Sequence, residues 1–265
     1  MEKLIVASKN KGKIAEIKAI LGTVFDVVSM SDVGIDLDIE ETGSTFTENA
    51  LIKAKTLFML TGLPSLADDS GLEVEALGGR PGVFSARYAV PPALTRKNHP
   101  APNEEAFVGT PPREGNFRDT RVEENFFGTL QERNFSIDRA NNQKLLAEMI
   151  GINDRRAKFV CVIALIKAKT DNGGYERTVG QGNVHGDEDI GKGKFDAIIV
   201  RGEAHGEILR ESRGGGGFGY DPLFYSFDLQ KSFGEASSLK KNAASHRYRA
   251  LKDLLAKLDK DRLMC

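Results

Sequence analysis

The chain has 265 residues, enough for one large domain or two small ones with a substantial core and no covalent staples. Lys and Arg total 37 against 38 Asp and Glu, a formal charge of −1 that excludes a protein coated in basic charge for nucleic acid and one with an acidic tail. The opening MEKLIVASKNKGK lacks the apolar core of a secretion signal, and no stretch reaches the roughly 20 apolar residues of a membrane helix. With Cys161 in an apolar run and Cys265 the last residue, a disulfide framework is not expected. The expectation is a cytoplasmic protein that binds neither membrane nor nucleic acid.

In chain order, Leu4 to Ala7 reads as a buried strand and Gly12 to Leu21 as a helix, with Ile14, Ile17, Ile20 and Leu21 at helical spacing and Gly22 as its stop. Phe25 to Val28 is a second strand. Thr42 to Leu60 is a long helix, capped by Ser44 or Thr45, with Glu48 in its first turns. Leu66 and Ala67 form a short strand that ends at Asp68-Asp69. Residues 90–137 hold Pro91, Pro92, Pro100, Pro102, Pro111 and Pro112 and few periodic apolar positions, which reads as an inserted irregular segment. Ala140 to Ile150 is a helix, Ala157 to Ile166 a core strand, Ala197 to Val200 another strand, and Ala243 to Leu258 an amphipathic helix. Residues 180–196 form a second polar, Gly-rich insertion. Mixed helices and strands along one chain give an α/β or α+β class.

Four stretches could carry chemistry. Ser8, Lys9, Asn10, Lys11, Gly12 and Lys13 join a strand to a helix, so three lysines gather where helix N–H groups attract anions. This is neither a Walker A loop nor a dinucleotide fingerprint. Asp68-Asp69 and Glu40-Glu41 are adjacent carboxylates, which repel unless a cation lies between them; Mg²⁺ is a fitting cation, and a remaining carboxylate could activate water. Four glycines precede Phe218, Gly219, Tyr220 and Asp221, an aromatic pair on a permissive backbone that could stack on a flat ligand. Lys241 and Ser245-His246-Arg247 cluster at the start of the last helix, where the dipole disfavours cations and a ligand or acidic partner is called for.

The stretches ASKNKGKIAEI, EETGSTFTENALIKAK, LPSLADDSGLEVEALGGRPGVFSARYA, GGFGYDPLF and KKNAASHRYRAL occur in this order from near residue 3 to near 258. In that order the sequence resembles the inosine triphosphate pyrophosphatase family, which hydrolyses deaminated purine nucleoside triphosphates. The resemblance implies an elongated, two-lobed α/β fold with a curved mixed sheet and the active site in the cleft, and a homodimer. It implies a Mg²⁺-dependent hydrolase acting on dITP, ITP and XTP. Asp69 matches the general base and a metal carboxylate, joined by Asp68 and by Glu40 or Glu41. The Ser8–Lys13 loop and Lys53 would hold the triphosphate, Ser70 would touch substrate, and Phe218 to Asp221 with Lys241, His246 and Arg247 would form the base pocket. The rival readings are a related pyrophosphatase for other modified nucleotides and a non-catalytic nucleotide binder. This chain is longer than the family pattern, mainly through the two insertions.

Overall fold

A computed structural model describes residues 1–90, 130–169 and 195–263, except the side chains of 130–136 and 261–263. Most of the stretch 90–137 and residues 180–194 lie outside that description. Seven strands form one mixed sheet in the order β2-β1-β3-β4-β5-β6-β7. They are β1 (Glu2–Val6), β2 (Phe25–Ser29), β3 (Ser65–Val74), β4 (Arg156–Ala168), β5 (Phe195–Ile208), β6 (Phe224–Ser226) and β7 (Lys231–Ser232). β1 runs parallel to β2 and β3; every later pairing is antiparallel. The helices are α1 (Lys11–Leu21), α2 (Phe46–Thr61), α3 (Leu130–Glu148), α4 (Ser238–Ala244) and α5 (His246–Leu263).

Helices cover both faces, as an α/β sheet with parallel crossovers requires. On one face Ile17 and Leu21 of α1 and Leu251, Leu254 and Leu258 of α5 pack with Leu66, Cys161, Ile163 and Val200. On the other, Phe46, Ala50, Ala54 and Phe58 of α2 lie over Ala67, Val160, Val162 and Ala164. A third cluster joins Leu145 of α3 and Met149 just beyond its end to Phe159, Tyr220, Phe224 and Phe233. The caps follow the local sequence: Asn10 caps α1, and Thr45 with Glu48 closes a reciprocal capping box on α2.

Four elements differ from the sequence expectation. β3 does not stop at Ala67. It pairs residue for residue with β4 from Ser65 opposite Ile166 to Val74 opposite Ala157, so Asp68 and Asp69 sit mid-strand. The carboxylates break the apolar pattern, but the strand is held by its ladder and its buried neighbours rather than by propensity. β5 continues to Ile208 because Val200, Gly202, Ala204, Gly206 and Ile208 alternate with Arg201, Glu203, His205 and Glu207; its inward positions are small, which hid the period of two. α3 begins at Leu130 rather than Ala140, since no Gly or Pro interrupts residues 130–148. The last helix is two helices, broken at Ser245, whose extended backbone (φ −76°, ψ 153°) starts α5 at His246.

The small inward residues of β5 let α5 approach closely. A methyl group at Gly202 would lie 2.1 Å from the His246 carbonyl oxygen and 2.5 Å from the Ala250 nitrogen, both backbone atoms that cannot swing away. Gly202→Ala is therefore expected to push α5 off the sheet and to cost about 1–3 kcal/mol, read as a lowered midpoint of denaturant unfolding.

Candidate active site

The site forms around the middle of β3. Successive residues of a strand face opposite sides. Asp68 and Ser70 therefore face α1 and α5, whereas Asp69 faces α2. The two aspartates, adjacent in sequence, are not a pair on one surface.

On the first face, one carboxylate oxygen of Asp68 accepts from Lys13 Nζ at 2.9 Å, Ser70 Oγ at 3.1 Å and Arg247 Nε at 3.3 Å. Arg247 also donates from Nη1 to Glu16 at 3.1 Å. Asp68 is almost wholly buried. Burial would raise its pKa, but Lys13, Arg247 and Lys53 outweigh it and hold the carboxyl well below the usual range. Asp68 is thus an ionised hub for two cations, with Oδ2 taken up by protein donors.

On the second face, Asn49 and Lys53 lie four residues apart on the buried side of α2. Asn49 donates from Nδ2 to Asp69 at 3.0 Å and accepts from the Gly43 N–H at 2.8 Å, which fixes its amide. Lys53 Nζ donates to Glu41 at 2.7 Å and to the Asp68 carbonyl oxygen at 2.7 Å, and lies 3.7 Å from Asp69. The acidic residue that reaches this cluster is Glu41 rather than Glu40. Arg87 Nη1 lies 3.9 Å from the other Glu41 oxygen. Burial pushes the Asp69 carboxyl up to about 6; Lys53 and the Asn49 amide oppose this and the Glu41 charge adds to it.

The loop before α1 holds itself. Ser8 Oγ accepts from the Asn10 N–H at 3.1 Å, and Asn10 Oδ1 accepts from the N–H groups of Gly12 at 2.9 Å and Lys13 at 3.2 Å. Lys9 pairs with Asp36, Lys11 is exposed, and Lys13 turns inward to Asp68. The charge expected for a phosphate cradle is present, but two of its backbone donors cap the helix instead.

The glycine-rich segment forms the third part. Asp221 accepts from Lys241 Nζ at 2.5 Å and from the Phe218 N–H at 2.7 Å. Burial raises the Asp221 carboxyl and Lys241 opposes it. Lys241 Nζ sits 4.3 Å from the centre of the Phe218 ring, which is 62% exposed. Tyr220 does not join this surface: it is buried, and its hydroxyl donates to the Ser85 carbonyl at 2.9 Å. His246 stacks on Phe159 at 5.1 Å, and burial with the nearby Arg247 and Lys241 charges keeps its ring neutral.

Among the described residues, the buried side-chain polar atoms without a partner are Arg87 Nη2, Asn142 Oδ1 and His246 Nδ1. All three border this site: Arg87 beside Glu41, Asn142 against Gly219, His246 next to Arg247. Buried polar groups are nearly always satisfied, so three orphans around one region mark where a polar ligand fits. The sequence reading missed Asn49, Arg87 and Asn142. Only Asn49 left a signal, a polar residue on the inward face of a helix one turn before Lys53.

Two stability measurements test these assignments. Asp68→Ala leaves Arg247 and Lys13 without their shared counter-ion and should cost about 3–5 kcal/mol; a loss under about 1 kcal/mol in denaturant unfolding would contradict the hub. Asp69 has the opposite sign. Its carboxyl ionises near 6 in the fold and near about 3.9 when unfolded. Its contribution to stability is complete below the unfolded value and is lost as pH rises through the folded one. In metal-free buffer Asp69→Asn should therefore be more stable than the native chain at pH ~8, by about 1–3 kcal/mol, with the difference gone near pH ~4.

The Ham1 family model matches residues 4–109 and 124–257. A protein of Bacillus licheniformis named dITP/XTP pyrophosphatase is 37% identical over 262 residues, covering 98% of this chain and 99% of that protein. One of the same name from Geobacter sulfurreducens is 38% identical over 254 residues, covering 95% and 94%. Among solved structures, the Ham1 protein of Staphylococcus aureus aligns with a TM-score of 0.68 at 31% identity, and a HAM1 protein of Coxiella burnetii with 0.67 at 33%; each alignment covers 98% of this chain and all of the other. With full-length relatives above 30% identity and a family match on both sides of residues 110–123, this chain belongs to the Ham1 family.

Proposed function

We propose that this protein is a Mg²⁺-dependent nucleoside triphosphate pyrophosphatase that converts the deaminated purine nucleotides dITP, ITP and XTP to the monophosphate and pyrophosphate, clearing them from the nucleotide pool. The relatives named dITP/XTP pyrophosphatase support the substrate class. The observation that carries the chemistry is Asp69: a buried carboxyl held at about 6, in contact with Lys53 and in the field of Glu41. A general base works best with a pKa near the working pH.

Asp69 takes a proton from a water that attacks the α-phosphorus. The bond from that phosphorus to the bridging oxygen breaks, and pyrophosphate leaves with its electron pair. Lys53 and Lys13 lie on opposite faces of β3 and supply positive charge to the triphosphate and to the charge that develops on it. Triphosphate oxygens compete with Asp68 for Lys13, so binding loosens the hub on that side. Glu41 and Asp69 fit Mg²⁺, which typically takes one or two carboxylates together with substrate phosphates: both reach Lys53, and Asp69 carries a negative charge that its protein partners do not fully neutralise. When bound there, Mg²⁺ supplies charge neutralisation and polarises phosphoryl oxygens.

Phe218 offers its exposed ring to the base. His246 is neutral, with an unpartnered Nδ1, and stands beside the guanidinium of Arg247. A 6-oxo purine meets such donors with an acceptor, whereas adenine presents an amino donor and leaves polar groups unpaired, at a cost of about 1–3 kcal/mol each. No helix of the described residues is long and apolar enough to cross a membrane. The cytoplasmic location and the homodimer belong to this proposal as well.

The test is pyrophosphate release from dITP, ITP, XTP, GTP and ATP with and without Mg²⁺. Release from the first three only, dependent on Mg²⁺, is the expected result. Asp69→Asn should lower kcat by about 10²–10⁴-fold. Equal turnover of ATP, or full activity in Asp69→Asn, would contradict the base pocket or the catalytic carboxylate respectively. Tight binding of ITP without turnover would favour a nucleotide-binding role.

A further inference from the structure

The glycine-rich segment that carries Phe218 has little side-chain packing of its own. Gly217 and Gly219 both adopt positive φ, 79° and 60°, where the backbone is most permissive. An exposed aromatic on such a backbone stacks on a base only where its peptide groups are held. Four hydrogen bonds hold them. Asp221 takes the Phe218 N–H and donates its own N–H to the Phe218 carbonyl at 3.2 Å, but the other two come from α3, far away in sequence. Asp138 Oδ2 accepts from the Gly219 N–H at 2.7 Å, and Asn142 Nδ2 donates to the Gly219 carbonyl at 3.0 Å. These two residues lie one helical turn apart, so one face of α3 grips both polar groups of a single glycine.

The same helix holds the other end of the site. Asn141 accepts from the Ala89 N–H at 2.7 Å and donates to the carbonyls of Ser85 at 3.3 Å and Ala86 at 3.2 Å. Lys144 donates to the Tyr88 carbonyl at 2.8 Å. This is the turn that places Arg87 beside Glu41. Neighbouring residues of α3 therefore set both the backbone under the exposed aromatic and the turn next to the carboxylate cluster.

We propose that Asp138 and Asn142 are positioning residues for base discrimination, holding the Phe218–Gly219 backbone so that the Phe218 ring meets the purine. The inference rests on the pyrophosphatase reading above and extends it to residues outside the base pocket itself. Asp138 touches no reacting atom; it acts through Gly219 on Phe218.

The test compares Asp138→Ala and Asp138→Asn with the native enzyme. Losing the acceptor should raise KM for dITP and XTP about tenfold, the effect of one well-made hydrogen bond, and narrow their preference over ATP. The kcat should stay within about twofold. Inorganic tripolyphosphate, which has no base, should inhibit native and Asp138→Ala enzymes with the same Ki. Asp138→Asn keeps an oxygen acceptor and should restore most of the native KM. An unchanged KM and selectivity in Asp138→Ala would overturn the inference. So would a parallel rise in KM and in the tripolyphosphate Ki, which marks a general structural defect. If Asp138→Ala does not fold, Asp138→Ser, whose hydroxyl is too short to reach the Gly219 N–H, carries the same expectations. Failure of the pyrophosphatase reading shows separately, as a native enzyme that releases pyrophosphate from none of the nucleotides.

Discussion

The pleat of β3 sends the side chains of Asp68 and Asp69 to opposite faces of the sheet, and the rest of the site is arranged around that separation. Each face presents a different helix to its aspartate. Asp68 meets Lys13 from α1 and Arg247 from α5, and is fully ionised by them. Asp69 meets Asn49 and Lys53 from α2, and burial leaves its carboxyl near neutral pH. Two identical residues one position apart thus acquire opposite electrostatic characters. Lys53 links the two sides, since it reaches the Asp68 carbonyl through the backbone while facing Asp69 with its charge.

A buried carboxylate with two cationic partners is costly to assemble but fixes direction as well as charge. Lys13 and Arg247 come from helices at opposite ends of the chain, and Asp68 draws both toward one oxygen. The close seating of α5 over Gly202 and the break at Ser245 place Arg247 at that point. The glycines of β5 and the hub at Asp68 therefore serve one geometry: small residues admit the helix, and the ion pair sets its first turn.

The nucleobase end is built differently. Its backbone is glycine-rich and permissive, and its order comes from side chains reaching in from α3 and from the Asp221–Lys241 pair. Lys241 contacts the exposed Phe218 ring and lies 5.9 Å from the ring centre of Phe233; Phe233 stacks on Phe159, and Phe159 on His246. That run of rings and cation connects the exposed aromatic to the histidine at the start of α5.

The residue patterns by themselves determined the mixed α/β class, α1 and the first strands, the cap at Thr45, and most of the polar residues of the site, because these rest on local periodicity, capping chemistry and distinctive residue clusters. The family resemblance tied those clusters together and is shown by relatives matched over nearly their whole length. Local pattern ran out where an element is sustained by distant partners. β3 runs through two carboxylates because β4 supplies its ladder, and β5 runs through glycines because α5 needs the space. The tertiary structure alone decided that Asp68 and Asp69 part company, that Glu41 rather than Glu40 reaches Lys53, that Tyr220 turns inward, and that α3 grips Gly219. Each of these depends on which side of a strand or helix a neighbour packs against, a relation between residues up to 179 positions apart that no local window contains.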